Sequence, residues 1–421
     1  YFTAINAFGF SDGRKTKQIF ERIAREFDSQ TLIYNQPFSQ IKAAVSVTLL
    51  AILFLVTGAI VSGYKLGIVR GPGLLDVAST GDVFAADKDY LYHLDTRGNL
   101  QNQYVLQELG IRDVVTDISA IDRDRVLLGD WQTGTIKTCR LDRKTCEPLP
   151  AFQEENSENF RFINTFKFVV DPQKNLIYAA DTVRHLLVVL TADGKLLEST
   201  RGGEIKLRYP NGIAIANSET LAVADSNNFR ILTWSTNPQG LELTPDRQVD
   251  FVRNPKSKNP YISELEKRAI SVADEGRIYP VFVEFDDRGF WWVLVGDGNF
   301  ARDNLLRFDR NWENPQKIPL PGNPDISHMA IVEDRVLLTV PEAYEIWSIS
   351  IDDLSVDFFG NEAFQQSMYE AQQFKDNLRR FYYGSLGVAI AGVIILLGVA
   401  AWERRQQAIA LLDLDPTLSD S

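Results

Sequence analysis

The sequence predicts an all-β six-bladed β-propeller flanked by an N-terminal and a C-terminal transmembrane α-helix. Two uncharged runs, residues 43–64 and 381–402, predict the helices, and six copies of a strand–Asp pattern between them predict the ring. Composition sets the outer limits. The 421 residues are 45% hydrophobic and 24% charged, the balance of a folded globular chain. Asp and Glu (56) outnumber Lys and Arg (44), which excludes a chain-wide basic field and hence a nucleic-acid partner. Three His and two Cys are too few for a zinc cluster, a haem motif or an iron–sulfur site, so no metal, cofactor or catalytic residue is assigned.

Residues 1–42 read as a cytoplasmic segment. Within it Ile19, Phe20, Ile23 and Phe27 fall on one face of an amphipathic helix over 14–30. The run 43–64 follows, including Leu49 to Val56, and at 1.5 Å per residue it spans about 33 Å, against about 30 Å of bilayer hydrocarbon. It is too long for a signal-peptide core and lacks a small-residue cleavage site, so it reads as a signal anchor. Beginning with Tyr1 and not Met, the chain is expected to be a fragment or a processed product. Basic residues concentrate before this run (Arg14, Lys15, Lys17, Arg22, Arg25, Lys42), whereas only Lys65 and Arg70 lie just beyond it. The positive-inside rule then puts the N-terminus in the cytoplasm. A second span returns the C-terminus there. The expected location is the inner (plasma) membrane, two-pass, with residues 65–361 periplasmic.

Those residues repeat. The clearest copy is Tyr209-Pro210-Asn211-Gly212-Ile213-Ala214-Ile215 followed by Leu221-Ala222-Val223-Ala224-Asp225 and Phe229 to Leu232. The marker positions are 87, 130, 181, 225, 297 and 341, Asp in the first five and Pro341 in the last. The steps of 43, 51, 44, 72 and 44 suit four-stranded propeller blades, and the long step holds an insertion at about 249–276 with a helix-like 262–268. Five aspartates at equivalent strand ends are expected to fix turns by accepting backbone N–H bonds.

Cys139 and Cys146 flank a polar turn, 141–145, and would face each other on adjacent strands. A disulfide between them is expected, and it requires an oxidising compartment. Beyond the ring, 362–380 reads as an amphipathic juxtamembrane helix. Its apolar stripe is Phe364, Met368, Ala371, Phe374, Leu378 and Phe381, either packed on the ring or offered to a partner. It runs into 381–402, whose ends carry Tyr382, Tyr383 and Trp402 as interfacial aromatics, and 403–421 form a cytoplasmic tail.

The segment Val223 to Ile231 resembles the core of an NHL repeat, and the whole region resembles the wider six-bladed group that includes gluconolactonase-like and strictosidine-synthase-like proteins. The gluconolactonase resemblance implies one divalent metal held by Glu, Asn and Asp. Asn211 matches the Asn, but Pro280-Val281-Phe282-Val283 stands where the Asp belongs and no Glu is found. Pro321-Gly322-Asn323-Pro324-Asp325 and Phe290-Trp291-Trp292 resemble strictosidine-synthase segments without a transferable catalytic acid. His93, His185 and His328 form no triad in sequence.

The leading expectation is therefore a non-catalytic scaffold or accessory subunit of a multi-subunit membrane complex (transporter, energy-transducing or secretion). Its partners would be integral membrane subunits and the lipid bilayer. One alternative is a gluconolactonase-like lactone or ester hydrolase. The other is a sugar or peptide sensor in which Trp131, Trp234, Trp291 and Trp292 stack on a ligand.

Overall fold

The computed structural model describes residues 38–66, 69–112, 114–153, 160–201, 206–238, 240–241, 245–251, 278–296, 303–322 and 324–414. The expectations for 14–30, 262–268, Asp297 and Asn323 lie outside the described residues. The chain divides into two units, 67–376 and the two ends 1–66 with 377–421.

The first unit is the ring, six sheets of consecutive antiparallel strands. Blade 1 holds β1 (Leu74–Val77), β2 (Val83–Ala86), β3 (Tyr90–Leu94) and β4 (Leu100–Val105). Blade 2 holds β5 (Val115–Asp122), β6 (Arg125–Asp130), β7 (Thr135–Arg140) and β8 (Thr145–Pro148), followed by the short helix α2 (Pro150–Gln153). Blade 3 is β9 (Phe166–Asp171), β10 (Leu176–Asp181), β11 (Leu186–Thr191) and β12 (Leu196–Thr200). Blade 4 is β13 (Pro210–Ala216), β14 (Thr220–Asp225), β15 (Arg230–Asn237), β16 (Gly240–Leu241) and β17 (Arg247–Asp250), with both β16 and β17 paired to β15. Blade 5 is β18 (Tyr279–Phe285), β19 (Trp291–Gly296), β20 (Asp303–Phe308) and β21 (Gln316–Ile318). Blade 6 is β22 (His328–Val332), β23 (Arg335–Val340), β24 (Glu345–Ser350) and β25 (Val356–Phe358). Val249 and Asp250 therefore belong to the outer strand of blade 4, and the insertion begins after them.

The second strand of each blade is the apolar run before each marker. Val83 to Ala86 and Leu221 to Ala224 are buried throughout, because a second strand packs against both neighbouring blades. First strands touch in the cyclic order β1–β5–β9–β13–β18–β22–β1, so the ring closes. It closes without exchanging a strand, since blade 1 and blade 6 are each one contiguous segment. Backbone and side chains seal the seam instead. Gly71 N donates to Pro341 O at 2.9 Å, Asn361 N donates to Gly98 O at 2.8 Å, and Arg335 donates to Thr96 O at 2.5 Å.

The registers place the start of each first and third strand beside the end of each second and fourth, as in Leu74↔Ala86, Ala86↔Leu91 and Tyr90↔Val105. Turns after the second strand and links between blades thus share one face. Contacts from blade to blade keep that face in register around the ring: Thr182 Oγ1 to Pro210 O at 2.8 Å, and Ser226 Oγ to Pro280 O at 2.6 Å. Gly134 belongs to the same seam. It has φ 61°, and a Cβ there would lie 2.1 Å from Phe162 O.

The marker aspartates do hold turns. Asp87 Oδ1 accepts from Asp89 N and Tyr90 N at 2.7 Å each, and Asp130 Oδ1 from Gln132 N at 2.9 Å. Asp181 Oδ1 accepts from Arg184 N at 3.0 Å, whereas Asp225 Oδ1 accepts from Arg208 N, in the link before β13, at 2.6 Å and makes no backbone cap to the turn that follows it. Cys139 and Cys146 are bonded and stand directly opposite each other on β7 and β8.

Helix α3 (Glu362–Leu414) is a single helix of 53 residues. Its first turns pack on blades 6 and 1. Asn361 Oδ1 caps it by accepting Phe364 N at 3.1 Å, and Phe364 meets the Tyr92 ring edge-on at 5.5 Å. The predicted stripe splits. Phe364 and Met368 are buried in that contact, whereas Phe374 is 50% exposed.

In the second unit, α1 (Phe38–Leu66) and the later part of α3 contain Val45–Leu66 and residues up to Gln406, which are long and apolar enough to cross a membrane. The two helices pack through small residues. Ala59, Ser62, Ser385 and Ala389 are buried between them, Gly58 meets Phe381, and Gly392 meets Ile52. Their other faces expose Leu50, Phe54, Ile394 and Leu397.

Candidate functional site in the central channel

Six first strands surround a propeller's axis, so a titratable residue on one of them faces the channel or its neighbours. Five such residues converge here: Asp76 on β1, Asp117 on β5, Lys167 on β9, Glu284 on β18 and His328 on β22. Asp117 is the hub. Its Oδ2 accepts Phe168 N at 2.7 Å, and its Oδ1 accepts from Lys167 Nζ at 3.3 Å and His328 Nε2 at 3.1 Å. Lys167 Nζ also donates to Thr116 O at 2.8 Å and lies 5.3 Å from the centre of the Phe282 ring. His328 packs on the same ring at 4.5 Å. One carboxylate therefore links blades 2, 3 and 6, and Phe282 of blade 5 fills the space between cation and imidazole.

The protonation states differ sharply. Burial alone would raise Asp117, but Lys167, His328 and the Phe168 N–H outweigh it and hold the carboxyl below its ordinary range. Burial, helped by the Lys167 charge, lowers His328, although Asp117 and the Met329 carbonyl both favour its protonated form. Burial raises Asp76 to about 7, against the N–H bonds from Ala120 and Val77 and with some help from the Asp117 charge. Glu284 is raised well above the carboxylate range, first by burial and then by Asp76 and Asp117. Asp76 and Glu284 keep part of their surface open because they face the channel, yet protein surrounds them closely enough to disfavour charge. The channel thus sets a carboxyl whose charge is favoured, Asp117, beside two, Asp76 and Glu284, whose charge burial disfavours. Groups shifted apart in this way are candidates for hydrogen-bond donation or proton transfer.

The other sequence candidates fall elsewhere. Asn211 Nδ2 donates to Ser226 Oγ at 3.0 Å, and Ser226 in turn donates to Pro280 O, so Asn211 serves the seam between blades 4 and 5. Pro280 to Val283, beside it, supply no carboxylate, and among the described residues no group of three or more His, Cys, Asp or Glu could hold a metal ion, so the metal set implied by the gluconolactonase resemblance does not fit here. Trp234, Trp291 and Trp292 are fully buried in the sheets and cannot stack on a ligand, because they fill the space between blades; Trp131 alone of the four is exposed. His93 pairs with Asp82 at 2.7 Å inside blade 1, and His185 contacts the Tyr209 ring at 5.7 Å. His328 is the histidine that reaches the channel. Asp76, Asp117, Lys167 and Glu284 carried a signal in the sequence: each is a charge flanked by uncharged neighbours in a first strand, as in Phe166-Lys167-Phe168 and Val283-Glu284-Phe285.

Fold and site together define a six-bladed propeller flanked by two apolar helices, with a charged cluster across its axis. The sequence model of the NHL repeat matches residues 207–234, which hold β13, β14 and part of β15 of blade 4, the copy in which the pattern is clearest. No curated protein matches the chain in sequence. Among solved structures, streptogramin B lyase is 16% identical with a TM-score of 0.44, covering 70% of this chain and 84% of its own. Hydrazine synthase of Kuenenia stuttgartiensis is 11% identical at 0.43, covering 74% and 84%. The calcium-binding protein regucalcin from Agrobacterium tumefaciens is 11% identical at 0.42, covering 70% and 92%.

Proposed function

We propose that the chain is a membrane-anchored propeller, its ring on the oxidising side of the inner membrane and both termini cytoplasmic, acting as a non-catalytic scaffold or accessory subunit of a multi-subunit membrane complex. The observation that carries this reading is the helix pair. Small residues bring α1 and α3 together, and large apolar side chains remain on their outer faces for lipid and for other integral subunits. The Cys139–Cys146 bond supports the oxidising side. Asp117, tied to Lys167 and His328, braces three blades of a rigid platform. Extraction of native membranes in mild detergent, followed by native mass measurement, tests the reading. A stoichiometric complex is expected, and a chain that migrates alone refutes it.

The upward shift of Glu284, caused by burial and by the nearby Asp76 and Asp117, favours a second reading, a lactone or ester hydrolase using that carboxyl as general acid. Turnover of a lactone and ester panel that Glu284→Gln abolishes would establish it; no turnover by the intact chain excludes it.

A further inference from the structure

We propose that the ring docks on the lipid surface through the face that carries the inter-blade links and the turns after each second strand. The inference rests on the membrane-anchored reading above. Three observations carry it. First, this face collects exposed apolar side chains. Tyr90, Val114, Trp131, Ile163, Val183 and Tyr209 are 36–48% exposed; Tyr90 opens β3 directly after such a turn, and the others sit in a turn after a second strand or in a link leading into the next blade, in blades 1 to 4. Among the described residues, the turns and strand starts at the opposite face expose only Leu196 and Leu197 of comparable size, and charged side chains of both signs, such as Asp124, Asp142, Asp334, Arg97, Arg143 and Lys195, cover it. A soluble face has no need of six such side chains, and aromatic residues with neighbouring cations suit the headgroup region.

Second, the side chains are held out. Tyr209 has φ 61°, a conformation costly for a bulky residue, and is fixed there by Arg208 N on Asp225 at 2.6 Å and by its own N–H on His185 Nδ1 at 3.1 Å. Trp131 N donates to Val114 O at 3.2 Å, which sets those two side by side. Exposed Arg112, Lys206 and Arg208 stand on the same face. Asp89, Glu108 and Asp325 stand there too, so the aromatic and aliphatic groups, not net charge, distinguish it.

Third, the chain enters and leaves the ring at this face, a few residues along the sequence from the apolar runs. Glu342, in the blade 6 turn, binds Arg70 at 3.1 Å and Lys375 at 3.4 Å. Helix α1 ends at Leu66, four residues before Arg70, which is at most about 14 Å of extended chain. The uncharged run begins at Phe381, six residues after Lys375, about 9 Å of helix. Both tethers are too short to hold this face far from the bilayer. Insertion of several side chains from one rigid face then costs little further ordering.

The full chain, with Cys139 and Cys146 kept oxidised, is labelled with bimane at Trp131→Cys, Ile163→Cys or Tyr209→Cys, at Leu196→Cys on the opposite face, and at Ile394→Cys in the apolar run. Each is placed in nanodiscs of phosphatidylcholine and phosphatidylglycerol with plain or brominated acyl chains. Docking predicts about a two-fold loss of emission at 131, 163 and 209, as at 394, and none at 196. Quenching at 394 with 131, 163 and 209 as bright as 196 overturns docking and leaves anchoring intact. No quenching at 394 overturns anchoring and takes docking with it.

Discussion

Replacing Lys167 by Met removes the cation of the channel hub while keeping most of its volume. Its Nζ is the one permanent charge on Asp117 Oδ1, at 3.3 Å, and the two side chains are 12% and 5% exposed. Breaking a buried pair by removing one partner costs about 3–5 kcal/mol. Asp117 keeps the Phe168 N–H and His328, so the low end, about 3 kcal/mol, is expected. At about 2–4 °C per kcal/mol, the Tm falls by about 6–12 °C. The pH dependence identifies the cause. A carboxyl whose folded pKa is depressed contributes stability above its unfolded pKa, near 3.9, and loses it as pH falls through the folded value. Lys167→Met removes that contribution, so the gap to wild type is widest at neutral pH and closes toward pH 3. Chemical denaturation followed by tryptophan emission at pH 3, 5 and 7 reads it out. A gap of the same size at all three pH values would refute the electrostatic account and leave only lost packing.

Other outcomes follow from the same geometry. Asp76→Asn should flatten the decline in stability with rising pH between about 4 and 7, because a carboxyl raised to about 7 in the fold takes up a proton on folding in that window; the slope it removes is at most about 1.4 kcal/mol per pH unit, read by denaturation in the same buffers. Cys139→Ala with Cys146→Ala should cost about 2–3 kcal/mol, the entropy of a loop of sequence separation 7, and reducing agent should reproduce the loss in the intact chain. Gly134→Ala should lower the Tm by several degrees, since the added Cβ meets the Phe162 backbone, which cannot swing aside. Glu342→Gln should change stability by less than about 1 kcal/mol, because its pairs with Arg70 and Lys375 are solvent-exposed.

Much of the ring was readable because its signal is periodic. The Asp after each second strand recurs, and its apolar neighbours are needed wherever a strand is covered on both sides, so Val223-Ala224-Asp225 and Leu128-Gly129-Asp130 announced the same structural role in different blades. Cys139 and Cys146 were legible for a local reason: a short turn brings its flanking residues together whatever the rest of the chain does. The stripe from Phe364 to Phe381 was legible as a stripe, but which part would be covered depended on how far blades 1 and 6 extend along it.

The sequence by itself determined the number of blades, the apolar runs at each end and the turn-holding aspartates, since each is written in spacing within a few tens of residues. Only the tertiary structure decided that Asp117 meets His328 from 211 positions away, or that Glu284 is buried close enough to Asp76 and Asp117 for its charge to be disfavoured. Ring closure sets those meetings. Residues on six different first strands become neighbours across the axis only when the last blade packs against the first, and no local pattern records which of them will face one another.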